Sequence, residues 1–262
     1  MPLLKVQQNT IVRALVTGDR SQKRTVEQAA AEFHPTIQPG NHSIVVNASS
    51  FYQSVTGQWY SDGSAIQAAW FDWRPVLCFD PSHKPFFWFR SWPYTYYPEK
   101  GTVWNGFALT RRGVQNGVIN PAFNDNNEIN NFLGFGITAS RELVIYWVDG
   151  WDDHHEGYSP QGITKTQGFN AMIDAGVVHG GDGDYGGSLT VFLDGQLANN
   201  WYNDGKPMRP VWNHLCLEVT QLPGQVEPPD PNPEPEPSKD VIEVRLTYDD
   251  GITQDFVPKD SE

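Results

Sequence analysis

The sequence predicts an α+β protein: a strand-rich body of mixed sheet with two short helices, a proline-rich linker and a C-terminal β-hairpin. Three observations predict it. Short β-branched and aromatic runs, bounded by glycine, asparagine and proline, recur throughout residues 1–221. Only two segments combine a helix cap with a helical apolar stripe. Between Pro223 and Pro237 stand 7 prolines interleaved with Glu, Asp and Asn, a polyproline-type spacer that no core absorbs.

The elements follow in order. Lys5 to Val16 alternates and is rich in β-branched residues, which predicts one strand. Thr25, with Gln28 three residues on, makes a capping-box start for an Ala-rich helix over Val26–Phe33, and Pro35 ends it. Ser43-Ile44-Val45-Val46 reads as a buried strand closed by the small-residue turn Asn47-Ala48-Ser49-Ser50. Residues 58–118 read as aromatic-rich short strands and turns, with a hairpin at 106–117 around Arg111-Arg112-Gly113. Asn124 to Asn131 is a polar loop. Leu133 to Val148 reads as a second hairpin, turning near Ala139-Ser140-Arg141-Glu142. Thr164 caps the clearest helix, Lys165 to Ala175, which Gly176 ends. Val177-Val178 leads into a glycine-rich segment, and Ser188–Leu193 and Val211–Val219 read as strands. Three domains are expected: a body at 1–221, a linker at 222–239 and a hairpin segment at 240–262. The last turns at Asp249-Asp250-Gly251. A lone hairpin is only marginally stable, so it is expected to dock on a partner chain or to form oligomers.

Charge and composition exclude several function classes. The net charge is −13, and residues 226–262 carry −8 of it. No basic patch exists, which argues against nucleic acid as partner. Cys78 and Cys216, the only cysteines, sit in apolar runs. Both buried thiols and one disulfide are compatible with that placement. No stretch approaches a transmembrane span and the N-terminal run lacks an apolar secretory core. The expected location is the cytoplasm of the producing cell, or a virion assembled there.

Four short motifs in order carry the functional signal. They are Gly157-Tyr158-Ser159-Pro160-Gln161-Gly162-Ile163-Thr164, Asp184-Tyr185-Gly186-Gly187-Ser188, Asp194-Gly195 and Arg209-Pro210-Val211-Trp212-Asn213. Upstream stand Asn47, closing its strand ahead of Phe51-Tyr52, and Val148-Asp149-Gly150. Consecutive glycines let backbone N–H groups converge on an anion, so Gly186, Gly187 and Ser188 are a candidate phosphate nest with Asp184 beside it. A bare glycine turn capped by Asp184 is the plainer alternative. The fork of Arg209 suits a phosphodiester, although a surface ion pair is the commoner fate of such an arginine. Asn47 is either a substrate-orienting amide or a strand-ending turn residue. Asp152-Asp153-His154-His155-Glu156 lacks the ligand spacing of a known metal loop, so neither a cation at Asp152, Asp153 and His154 nor any other cofactor is expected.

This ordered set resembles the phosphodiester glycosidase family, over residues 25–217. The resemblance implies a hydrolase that cleaves a sugar-1-phosphodiester at the glycosidic C–O bond. It implies Asp184, Asp149 and Asn47 as catalytic candidates. Gly186, Gly187, Ser188, Arg209, Asn213, Thr164 and Tyr185 would contact phosphate or sugar. Two departures stand out: Tyr185 replaces a family glycine, and the Arg that usually precedes the next strand is absent at Asn131-Phe132-Leu133-Gly134. Because of them the alternatives stay open. One is a catalytically silent carbohydrate-binding module of a virion; another is a protein acting on small nucleotide-like phosphoglycosides. The linker and hairpin point to a phage protein that acts on cell-envelope phosphoglycan.

Overall fold

The computed structural model describes residues 3–19, 21–49, 59–67, 74–91, 95–97, 102–124, 128–150, 162–184, 188–199, 208–222, 244–247 and 253–256. The strands begin with β1 (Leu3–Val6), β2 (Ile11–Gly18), β3 (His42–Asn47), β4 (Trp59–Ser61), β5 (Ser64–Gln67) and β6 (Val76–Phe79). Next come β7 (Pro85–Ser91), β8 (Thr95–Tyr97), β9 (Asn105–Ala108), β10 (Arg111–Gln115), β11 (Val118–Ile119) and β12 (Phe132–Thr138). The body closes with β13 (Leu143–Val148), β14 (Val177–Asp182), β15 (Val191–Leu193), β16 (Gln196–Leu197) and β17 (Asn213–Val219). Among the described residues two α-helices accompany them, α1 (Val26–Phe33) and α2 (Lys165–Asp174). The fold is α+β. By compactness the chain divides into Met1–Pro228 and Pro229–Glu262. The described residues of the second unit form an antiparallel pair, β18 (Val244–Thr247) with β19 (Thr253–Phe256).

Three sheets build the first unit, in the orders β1-β13-β12-β14-β10-β11, β16-β15-β3-β17-β2 and β5-β4-β9-β6-β7-β8. Every ladder among the described residues is antiparallel, where mixed sheet was expected. The reason is connectivity: short turns join most consecutive strands, and a parallel pair needs a crossover that only α1 and α2 are long enough to cover. The three sheets share one core. Leu133, Phe135, Ile145 and Trp147 meet Ile44, Val46, Leu215 and Leu217 there, with Leu77, Phe79 and Phe107 from the third sheet. Alternation sends the remaining residues outward. Val45, Phe192 and Cys216 pack under α1. Phe132, Val144, Tyr146 and Val177 pack under α2.

Both helices begin with complete capping boxes: Thr25 with Gln28, as the sequence predicts, and Thr164, expected only as an N-cap, with Gln167. Helix α2 sits close on its sheet because glycines floor the contact. A Cβ on Gly134 would lie 2.4 Å from Met172 Sδ. The hairpin of β12 with β13 forms in register Phe132↔Val148 and turns through Arg141 at φ 62°.

Two further expectations are corrected. The N-terminal strand is broken: a single 3-10 turn, Gln8–Thr10, separates β1 from β2, and the two join different sheets. Thr10 closes that turn by donating both its N–H and its hydroxyl to Gln7 O. Residues 106–117 are not one hairpin either, since β9 and β10 belong to different sheets. The turn lies at Asn116-Gly117 (φ 55° and 75°), joining β10 to β11. Asn-Gly fits a two-residue hairpin turn, whereas Arg111-Arg112 is strand. Cys78 and Cys216 are free buried thiols. Burial raises the Cys78 thiol's pKa and pushes that of Cys216 up to about 12, so neither is a ready nucleophile.

Candidate functional site

The site grows from the C-terminal ends of β3, β13 and β14. Strand β3 ends at Asn47, whose side chain is fully buried. Its Oδ1 accepts from Thr190 N (3.0 Å) and its Nδ2 donates to Asp184 O (2.9 Å). One amide thus fastens both ends of the 184–190 segment. The Asp184 N–H donates to Ala48 O at 3.3 Å, a second tie to the same β3 terminus. Asn213, at the start of β17, holds the residues that follow Asn47. Its Oδ1 accepts from Ser49 N (3.0 Å) and its Nδ2 donates to Ser49 Oγ (3.2 Å).

Asp149 follows β13 directly, and Asn199 links it to the same segment. Asn199 Nδ2 donates to Asp149 Oδ1 (3.1 Å) and Leu189 O (3.3 Å), while its Oδ1 accepts from Val191 N (2.8 Å). Ser188 is buried, and its hydroxyl accepts from the exposed Arg209 at 3.4 Å. Of the sequence-predicted residues, Asp149, Asp184, Ser188 and Arg209 are therefore gathered around one short stretch, with Asn47 and Asn213 as its fasteners. Both carboxylates are part-exposed.

Thr164 serves its helix: its hydroxyl accepts Gln167 N at 3.2 Å. The glycine that precedes it by two, Gly162, has a steric reason. A Cβ there would lie 2.0 Å from Asn130 O, at the Asn130–Ile163 bridge that delivers α2 to the site. Asp194-Gly195 does not join the site. It turns at the opposite end of β3, where the Asp194 carboxylate accepts from Ser43 N and pairs with His42 Nδ1, both at 2.8 Å. Tyr185, Gly186, Gly187, Asp152, Asp153, His154 and Gly157 to Gln161 lie outside the described residues.

Sequence reasoning missed Asp182. Strand β14 ends at Asp182, and Asp184 lies two residues beyond. Asp182 is 1% exposed, and no described donor meets either carboxylate oxygen in good hydrogen-bonding geometry. Burial raises its pKa from 3.8 to about 6, against the Lys165 and Arg111 charges and nearby backbone N–H groups, which pull it down. An aspartate between glycines at a strand's end, Gly181-Asp182-Gly183, was the available signal.

His214 is buried on the far face of β17, its Nε2 donating to Arg24 O at 3.2 Å. Burial lowers its pKa from 6.5 to about 4. The two groups act oppositely on stability. The folded chain holds the Asp182 proton more tightly than the unfolded one, so this group removes stability as pH rises from about 4 to about 6. His214 is held neutral in the fold, so its contribution is complete above about 6.5 and is lost as pH falls to about 4. The slopes oppose each other between about 4 and 6. Asp182→Asn should therefore steepen acid destabilisation, by about 2–3 kcal/mol between pH 6.5 and 4, as followed by urea unfolding. An unchanged pH profile in that variant would show that Asp182 does not titrate in this range.

No family model matches the chain, and no curated protein sequence matches it. Solved structures do. The catalytic domain of zebrafish N-acetylglucosamine-1-phosphodiester alpha-N-acetylglucosaminidase, auto-inhibited by its pro-peptide, superposes with TM-score 0.61 at 15% identity. The match covers 78% of this chain and 72% of that one. A hypothetical protein from Synechocystis superposes with TM-score 0.61 at 9% identity, over 83% of this chain and 58% of that one. The chain shares its fold with a phosphodiester glycosidase catalytic domain.

Proposed function

We propose that the chain is a hydrolase that cleaves a sugar-1-phosphodiester at the glycosidic C–O bond. What carries this reading is the meeting of Asp149, Asp184, Ser188 and Arg209 around one fastened segment, in a fold shared with a glycosidase that acts on such a bond. Water supplies a hydroxyl to the anomeric carbon, the C–O bond breaks, and the proton leaves with the released phosphomonoester. Phosphate is a good leaving group, so the site needs chiefly anion stabilisation and a positioned water. Arg209, Gly186, Gly187 and Ser188 are the candidates to take the phosphate, and Tyr185 to contact the sugar. Asp184 and Asp149 are the carboxylates available to activate water or to stabilise the sugar cation. Asn47 and Asn213 shape the site rather than touch substrate, and Thr164 starts the helix beside it. The substrate we favour is a cell-envelope phosphoglycan, met by a virion protein whose C-terminal hairpin attaches it to a partner.

One observation favours a second reading. The amides of Asn47 and Asn213 and the hydroxyl of Thr164 are engaged internally. That suits a module which binds a phosphoglycan without turnover. Incubation with an N-acetylglucosamine-1-phosphodiester separates the two, since only the hydrolase releases free sugar. In the hydrolase, Asp184→Asn should lower sugar release at least about a hundredfold, as losses of acid–base groups do. The carboxamide keeps the shape, so the melting temperature should stay within a few degrees. Near-normal turnover would remove Asp184 from the mechanism.

A further inference from the structure

The amide of Asn199 does more than tie two segments together. Strand β15 runs away from the site, the Asp194-Gly195 turn (φ 49° and 73°) reverses it, and β16 brings the chain back in register Phe192↔Leu197. Ala198 N donates to Val191 O at 2.8 Å, which ends the return with Asn199 beside the start of β15. The far-end turn, itself held by Ser43 N and His42, thus delivers a side chain to the site. Asn199 is 6% exposed, and both polar atoms of its amide are engaged. Its Oδ1 is held by the Val191 N–H, and its Nδ2 by Leu189 O and Asp149 Oδ1. Two of these partners are backbone groups with fixed roles, a donor at Val191 and an acceptor at Leu189. A reversed amide would set N–H against N–H and oxygen against oxygen, so the amide has one orientation. In it, Asn199 presents only a proton to Asp149. A carboxylate binds an N–H more strongly than the neutral acid does, which favours ionised Asp149. Direction is set too: a part-exposed carboxylate just beyond β13 is pinned at one oxygen by a buried group.

We propose that Asn199 is a positioning residue that holds Asp149 as an ionised carboxylate of the reaction. Asp149 then serves to activate the water or to stabilise the sugar cation, and does not supply a proton. The inference rests on the phosphodiester reading above and deepens it, since it names the residue that keeps Asp149 charged and aimed. A plain fastener of the strand would need only the two backbone contacts. The third contact goes to a carboxylate at the meeting point of the candidate site. Among the described residues gathered there, the other charged groups are Asp184 and Arg209, whose opposite charges act on Asp149 in opposite senses. The Asp194-Gly195 turn also gains a reason: it contributes no group to the site, but its geometry returns Asn199 to it.

The test uses the full chain with isotope-labelled aspartate carboxyls, and the titration of Asp149 is read by NMR after assignment with Asp149→Asn. Asn199→Ala should lower the acid dissociation constant of Asp149 on the order of tenfold, because a donor to the charged form is gone. Asn199→Asp keeps an acceptor for Val191 N at nearly equal size and sets a second carboxylate against the first. It should lower the constant further, with the pair titrating in two steps. It also decides the matter should Asn199→Ala unfold. Loss of a mere fastener would lower the melting temperature and leave the titration in place, so an unmoved Asp149 titration overturns the proposal. Sugar release from an N-acetylglucosamine-1-phosphodiester, followed against pH, tests the role. The acid limb of the rate profile should move to higher pH with the titration. Movement of the basic limb instead would make Asp149 a proton donor and overturn the assignment. A shifted titration in a chain that releases no sugar refutes hydrolysis alone, whereas sugar release with an unmoved titration refutes the role of Asn199 alone.

Discussion

Replacing Asn47 with alanine should lower the stability of the body by about 2–5 kcal/mol and abolish sugar release. The side chain is fully buried, and its two partners are the Thr190 N–H and the Asp184 carbonyl. Truncation leaves both without their protein partner, and each buried polar group so stranded costs about 1–3 kcal/mol. The same loss unfastens the segment that carries Asp184 and Ser188, so activity falls with stability. Asn47→Asp separates the contributions, because it keeps an acceptor for Thr190 but offers Asp184 O no donor. Urea unfolding of both variants is the measurement. An unchanged midpoint for Asn47→Ala would mean that the segment is held by other contacts.

Gly181→Ala should cost about 3 kcal/mol or more, at the upper end of overpacking penalties. A Cβ at this position would lie 2.1 Å from Arg111 O, a backbone atom of the neighbouring strand. The carbonyl cannot withdraw without opening the β10–β14 ladder, in which Arg111 faces Asp182 and Arg112 faces Gly181. Gly117→Ala is the contrast. Nothing lies within 4 Å of its Cβ position, and only its φ of +75° opposes the change. That substitution should cost about 1–2 kcal/mol, as expected for a left-handed backbone. Equal losses at the two positions would show that sterics at Gly181 do not dominate.

Local chemistry made much of this fold legible in the sequence. Thr25 with Gln28, and Thr164 as an N-cap, gave both helix starts, because a helix cap is complete within four residues. The Leu133–Val148 hairpin was equally readable from two apolar runs around a polar turn. What was hidden depended on partners far along the chain. Nothing near Leu4 or Leu15 says that β1 pairs with β13 while β2 pairs with β17. The motif residues were found as types, but not their division of labour. Asn47 and Asn213 read as substrate ligands, and the sequence does not show that their amides also hold Thr190, Asp184 and Ser49. Asp182 went unseen because its neighbours across the sheet, Gly134 and Arg111, lie 48 and 71 positions away.

Strand β17, the last of the body, lies between β3 and β2, two of the first. On a ribosome, β2 and β3 therefore emerge and wait, each with an open edge, until more than 160 further residues have been made. Two unsatisfied strand edges held that long invite pairing with other chains. Asn213, which steadies the site, arrives on the same late strand. A nascent chain halted before residue 213 thus holds nearly every catalytic candidate yet lacks the strand that joins its first two, and its synthesis in quantity should depend on chaperones that shield those edges.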